Sequence, residues 1–278
     1  MGYHYVPRFY LNGFAPNGAI WTHDRDERRS FLSQPKSIAN ETDMYPDEVE
    51  KYLASQIENP AKPGIEKIRS GALLDEGERL AVASYVIAMW KRVPEARSRV
   101  SKRMPEVAAS VRDNLHQELD AAVRTRPDFA ESAESKKRQV NEIIARYERD
   151  PPPDIWHKSL ATESTPRVID SLQTMNWRFL ISEREQFLTC DNPVFFFQDE
   201  GIGKPYSELS IPFSSNITLW ANRRDTPTQT FIHAKPSVVR ELNRRMAFNA
   251  TRFVYSERNE RWILPFICKE GHLCNHIE

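Results

Sequence analysis

The sequence predicts an α+β fold, and three observations lead there. Apolar residues recur at helical spacing from Pro46 to about Met175, whereas from Asn176 onward the spacing turns towards two. A hairpin pattern precedes the helices, so the order is hairpin, helices, then mostly strands, which points to a largely antiparallel sheet. No glycine-rich phosphate-cradling turn joins a strand to a helix, and nine glycines leave little room for one.

Residues 3–24 read as the hairpin. Tyr5-Val6 and Phe9-Tyr10-Leu11 are strand formers, Asn12-Gly13 and Pro16-Asn17-Gly18 supply turns, and Ala19-Ile20-Trp21-Thr22 returns as the second strand. After polar, irregular residues to Tyr45, Pro46-Asp47-Glu48 opens a helix with Val49, Leu53 and Ile57 on one face, its early acids suiting the helix dipole. Asp75 and Glu78 form a capping-box start for a helix to about Arg92 that is apolar almost all round and therefore central. Pro94 ends or kinks it.

Residues 95–149 form a charged helical pair carrying a stripe of Val107, Val111, Leu115, Leu119 and Val123. Twelve Lys/Arg against nine Asp/Glu between Arg97 and Arg149 make that pair a solvated face of mixed sign rather than a basic arm. Pro151-Pro152-Pro153 reads as a linker, followed by a helix from about Val168 to Met175. Strands are expected at 177–182, 187–189, 194–197, 209–213, 217–221 and 230–232, a helix from Pro236 to about Ala247, and a last strand at 252–255. The organisation expected is one elaborated α+β domain over 1–278 with the charged helices of 95–150 as a subregion.

Composition narrows the function classes. The 39 basic and 39 acidic residues cancel, so no global basic footprint for nucleic acid exists, although a local groove stays open. The most apolar run, Leu80 to Trp90, is far short of the roughly 18–20 residues that span a bilayer. Three cysteines argue against a disulfide framework, and the N-terminus lacks the charge-then-apolar pattern of a secretory signal. These features lead to the expectation of a cytoplasmic protein that does not engage membranes.

Two segments interrupt strand-like runs with residues of chemical use. In His4-Tyr5-Val6-Pro7-Arg8-Phe9-Tyr10-Leu11, His4 can move a proton or ligate a metal near neutral pH, and Arg8 carries a planar fork for phosphate or carboxylate. In Thr189-Cys190-Asp191-Asn192-Pro193-Val194, Asp191 and Asn192 before proline favour a bonded turn, and also present a carboxylate and an amide at a strand end. Cys190 is a poor nucleophile, because the carboxylate beside it raises its pKa. No Gly-x-Ser-x-Gly elbow is present. Cys268, His272, Cys274 and His276 are enough in number for zinc but lack the spacing of ordinary zinc sites.

The pairing of these two segments resembles the DUF4238 family, a domain of unknown function. Gly13-Phe14, Ile20-Trp21, Ile57-Glu58 and Arg92-Val93-Pro94 extend the resemblance over nearly the whole chain, with Cys190 standing where a serine commonly precedes the family's aspartate. The resemblance implies no activity. If His4, Arg8, Glu58, Arg92, Asp191 and Asn192 converge, with Tyr45 in reach, the set suits two things. One is metal-assisted phosphate-ester or nucleic-acid hydrolysis, with His4 as base or ligand, His4, Glu58 and Asp191 around a divalent metal, and Arg8 and Arg92 on phosphate. The other is a non-enzymatic module for an anionic ligand or a protein partner. The same residues could equally form a buried ion-pair network between the hairpin and the helices.

Overall fold

The computed structural model describes residues 2–149, 155–160, 166–197, 201–224 and 228–277, so the Pro151-Pro152-Pro153 linker lies outside the described residues. The chain divides into two compact units, Met1–Val93 with Leu160–Glu278, and Pro94–Ser159. Among the described residues no helix is long and apolar enough to cross a membrane.

In the first unit, β1 (Gly2–His4) is followed by α1 (Arg8–Leu11), β2 (Ile20–Asp24), β3 (Arg29–Ser33) and β4 (Asn40–Thr42). Then come α2 (Asp47–Tyr52), α3 (Asn59–Arg69) and α4 (Glu76–Arg92). A π-turn, Leu53–Glu58, joins α2 to α3. Its wider i to i+5 spacing shifts the phase of the helix just before Glu58.

The capping box of α4 forms as expected: Asp75 Oδ1 accepts from the Glu78 amide at 2.8 Å, and Glu78 Oε2 accepts from the Asp75 amide at 3.0 Å. Val82, Ala83, Tyr85, Val86, Ile87 and Met89 of α4 are buried, whereas Leu80 at its start is exposed. The helix ends before Pro94, which begins the next one.

The second unit holds a pair of helices, α5 (Pro94–Thr125) and α6 (Ala130–Arg149), with α7 (Ile155–Leu160) beginning at its end. Lys137 Nζ bonds Asp120 at 2.7 Å, and Ala108, Ala133 and Ile144 are buried. The stripe read from the sequence is not the buried face: Val107, Val111 and Leu115 are all exposed. Ala108, one residue on, faces inward instead.

The first unit resumes with α8 (Pro166–Gln173), β5 (Asn176–Ile181), β6 (Thr189–Cys190), β7 (Phe195–Phe196), β8 (Glu208–Ser214), β9 (Ile217–Asn222) and β10 (Gln229–His233). It closes with α9 (Pro236–Asn249), β11 (Phe253–Ser256) and α10 (Ile263–Ile267). Among the described residues the strands form three sheets, in the orders β1-β4, β10-β5-β9-β8-β7 and β3-β2-β11-β6. Only the β10-β5 pair is parallel among the described residues. The fold is α+β with a mainly antiparallel C-terminal sheet. Every residue of β8 and β9 is buried, so both faces of these central strands are covered, although β8 still alternates Leu209, Ile211 and Phe213 with the buried polar residues Glu208, Ser210 and Ser214.

Two local expectations are corrected. The hairpin is formed by β2 and β3, with Ile20 opposite Ser33, and Phe9-Tyr10-Leu11 is helical, not a strand. Pro7 (φ −59°, ψ 141°) sets the turn, and its carbonyl accepts from the Tyr10 and Leu11 amides at 3.0 and 3.1 Å. Asn12-Gly13 is therefore no hairpin turn. Gly13 is small because a Cβ there would sit 2.4 Å from the Phe213 carbonyl oxygen. Asn40–Thr42, read as loop, instead pairs with β1.

Candidate functional site

Three of the singled-out side chains, Arg92, Glu58 and Tyr45, meet at the backbone of His4. The last turn of α4 delivers the Arg92 guanidinium, only 2% exposed, to a point reached by three other elements. Nη1 donates to Glu58 Oε1 at 2.5 Å, and Nη2 donates to the His4 carbonyl at 2.6 Å and to the Tyr45 hydroxyl at 2.9 Å. Glu50 Oε2 lies 3.7 Å away. The planar fork of arginine serves this convergence, since one group reaches three partners in fixed directions. Burial opposes the charge on Arg92, but Tyr45 and Glu58 outweigh it and its pKa rises. Burial pushes the Tyr45 hydroxyl up to about 12 and raises the Glu50 carboxyl. Tyr3 stacks on Tyr45 with ring centroids 5.4 Å apart.

His4 joins this cluster through its backbone. Its half-buried ring lies 3.2 Å from the Lys36 carbonyl through Nε2. Burial lowers its pKa, and the positive charges of Arg8 and Arg92 lower it further, against the pull of the Lys36 and Pro35 carbonyls. Arg8, at the start of α1, is exposed and has no ion-pair partner among the described residues. The following residue, Phe9, carries Lys62 Nζ 5.2 Å from the centre of its ring.

Asp191 and Asn192 serve a different junction. Asp191 Oδ1 accepts from the Thr251 amide at 2.8 Å, and Oδ2 from the amides of Arg252 and Phe253 at 2.7 and 2.9 Å. Burial lifts its carboxyl to about 6 despite these donors. Asn192 Nδ2 donates to the Asn249 carbonyl at 3.1 Å, and Asn249 Nδ2 returns bonds to the carbonyls of Asn192 and Val194 at 2.5 and 2.9 Å. The Asx-Pro turn thus ties β6 to the passage from α9 into β11. The Cys190 thiol is fully buried and its pKa is raised first by burial and then by Asp191, so its discounting as a nucleophile agrees with the structure.

The two segments meet through aromatic hydroxyls. Tyr10 and Thr189 share a buried hydrogen bond of 2.8 Å. Tyr5 is buried beside Tyr255 within the electrostatic reach of Asp191, which raises its pKa after burial does. His4, Glu58 and Asp191 each have their own partners, and among the described residues no three His, Cys, Asp or Glu side chains are gathered as a metal site. The same holds for Cys268, His272, Cys274 and His276, of which Cys268 faces the Arg25 carbonyl.

Sequence reasoning missed Arg69, at the end of α3. Its guanidinium donates to the carbonyls of Phe9, Tyr10 and Phe213 at 3.1, 2.9 and 3.0 Å, fastening α1 to β8. It also missed His23, fully buried between Ser30 and Ser256 at 2.8 Å from each hydroxyl, its pKa lowered to about 4 by burial. No local pattern marks Arg69, whose partners at Phe9, Tyr10 and Phe213 are distant in sequence, and His23 is completed by Ser256, 233 residues away. No curated protein and no solved structure matches the chain. A family model described as "Protein of unknown function (DUF4238)" matches residues 3–260, most of the chain's 278 residues. The chain therefore belongs to the DUF4238 family.

Proposed function

We propose that the chain is a non-enzymatic binding module for an anionic ligand, recognised around α1 by His4, Arg8 and Lys62. The observation that carries this reading is the pairing of Arg8, exposed and without an ion-pair partner among the described residues, with a His4 ring that feels two guanidiniums. Cationic side chains without acids of their own attract phosphate or carboxylate groups, and Arg8 can present two parallel N–H donors to either. Beneath them the Arg92 cluster fixes the backbone at His4, which limits the ordering needed on binding.

The probe is inorganic pyrophosphate followed by NMR of the His4 ring. Binding should shift the His4 Cε1 proton and strengthen as pH falls, because a histidine with lowered pKa gains its charge only below the usual range. A His4 resonance that ignores pyrophosphate at every pH sinks the reading.

A hydrolytic role in phosphate-ester or nucleic-acid cleavage is the second reading, favoured by the Asp191 carboxyl near 6, a value suited to general acid–base work. It stands second because Glu58 is engaged by Arg92 and both Asp191 oxygens accept backbone amides. Turnover of bis(p-nitrophenyl) phosphate with magnesium or manganese, lost in Asp191→Asn, would bring it forward.

A further inference from the structure

The segment Gly271–Ile277 has no helix or strand of its own, and among the described residues no backbone–backbone hydrogen bond ties it to the rest. Charged side chains take that role. Glu241 Oε1 accepts the Asn275 amide at 2.8 Å and Arg245 Nη2 donates to the Asn275 carbonyl at 2.7 Å. Two residues on, Glu208 Oε2 accepts the Ile277 amide at 3.3 Å and Arg224 Nη1 donates to the Ile277 carbonyl at 2.6 Å. Alternate residues of the segment, Asn275 and Ile277, are thus each held at both backbone groups by side chains, as a peptide is when its main chain is read by its receptor.

The reading groups are held rigidly. Glu208 and Arg245 are fully buried and 2.7 Å apart, Trp220 Nε1 donates to Glu208 at 3.1 Å, and Arg224 reaches its other oxygen at 2.9 Å. The Arg245 guanidinium also lies over the rings of Phe195 and Phe197, at 5.0 and 5.3 Å.

Specific pockets accompany the backbone contacts. The Ile277 side chain enters an apolar cluster of Leu180, Phe187, Trp220, Val239 and Leu242. The His276 ring stacks on Phe197, centroids 4.2 Å apart, with Nδ1 3.1 Å from Glu208. Backbone reading supplies affinity and side-chain pockets supply selectivity, which together define a peptide site.

We propose that this groove, between β8, β9 and α9, is a peptide-recognition site that residues 271–277 fill in cis, and that an extended peptide ending its contact in an aliphatic side chain fills in trans. The site is separate from the α1 surface and does not depend on what binds there. In the resting chain the cis segment competes at a high effective concentration, roughly millimolar.

The test uses a fluorescein-labelled peptide of residues 271–277, made with serine in place of its cysteine, titrated into the full chain and into the Ile277→Asp variant. A charge in the apolar pocket should release the cis segment, so the variant is expected to bind the peptide saturably and at least about ten-fold more tightly than wild type. Adding Arg224→Ala should remove that binding. Absence of binding to a folded variant, or binding indifferent to Arg224→Ala, overturns the proposal. Should Ile277→Asp not fold, hydrogen exchange of the wild type decides. The Asn275 and Ile277 amides are expected to exchange by local opening, at rates insensitive to low denaturant. If they exchange only with global unfolding, the segment is a fixed wall of the core and the proposal falls.

Discussion

Tyr10 and Thr189 share a 2.8 Å hydrogen bond in the core, although 179 residues of sequence separate them. At this contact the two family segments meet directly. Tyr10→Phe would leave the Thr189 hydroxyl buried without its partner, at a cost of about 1–2 kcal/mol. Urea unfolding should show that loss, and an unchanged midpoint would mean the bond is not made.

The Arg92 cluster should behave as a buried ion pair. Glu58→Gln removes the carboxylate facing a nearly inaccessible guanidinium, and removing one partner of such a pair costs about 3–5 kcal/mol. Arg92→Lys should be damaging as well, because a point charge cannot reach Glu58, the His4 carbonyl and Tyr45 together. Thermal unfolding of the two variants checks this; a melting temperature near wild type for either would show that the cluster is incidental.

His23 should make stability fall in acid. Its folded pKa of about 4 lies below the ordinary value of 6.5, so its contribution is full above 6.5 and is lost as pH falls from there through 4. The shift corresponds to something on the order of 3 kcal/mol across that window. His23→Gln carries no titrating ring, so its stability profile should be flatter between pH 6.5 and 4 than that of the wild type. Parallel profiles would refute the assignment.

Gly13→Ala tests the close approach of the turn after α1 to β8. A methyl group would press on the Phe213 carbonyl and on Arg69, whose guanidinium is itself committed to three carbonyls. Overpacking of this kind costs about 1–3 kcal/mol, readable as a lower denaturation midpoint. A neutral outcome would mean that β8 gives way freely.

The helices and most strands were legible because their signals are local. Asp75 and Glu78 announce α4, Pro94 ends it, and β5 and β11 carry strand-forming runs. His4-Tyr5-Val6-Pro7-Arg8-Phe9-Tyr10-Leu11 misled because aromatic residues favour strands on average, whereas Pro7 and burial of Tyr10 and Leu11 decide for a helical turn. At the site, the family resemblance singled out Arg92 and Glu58, with Tyr45 in reach, but could not say which oxygen each donor takes. Asp191 and Asn192 looked like ligands on the same grounds, while their partners at Asn249, Thr251, Arg252 and Phe253 lie some sixty residues away. Contacts of that range leave no periodicity to read. The inward face of α5 escaped for a subtler reason: Ala108 faces inward where the valines beside it look the better core residues.

The anion-binding reading rests on Arg8, an exposed arginine with no ion-pair partner among the described residues, so its removal should change binding without changing the fold. Isothermal titration of pyrophosphate into wild type and Arg8→Ala at low salt is the most direct measurement. The account predicts saturable binding to wild type, binding at least about ten-fold weaker to Arg8→Ala, and the same melting temperature for both. Equal affinities for the two proteins, or no heat of binding to wild type, would contradict it.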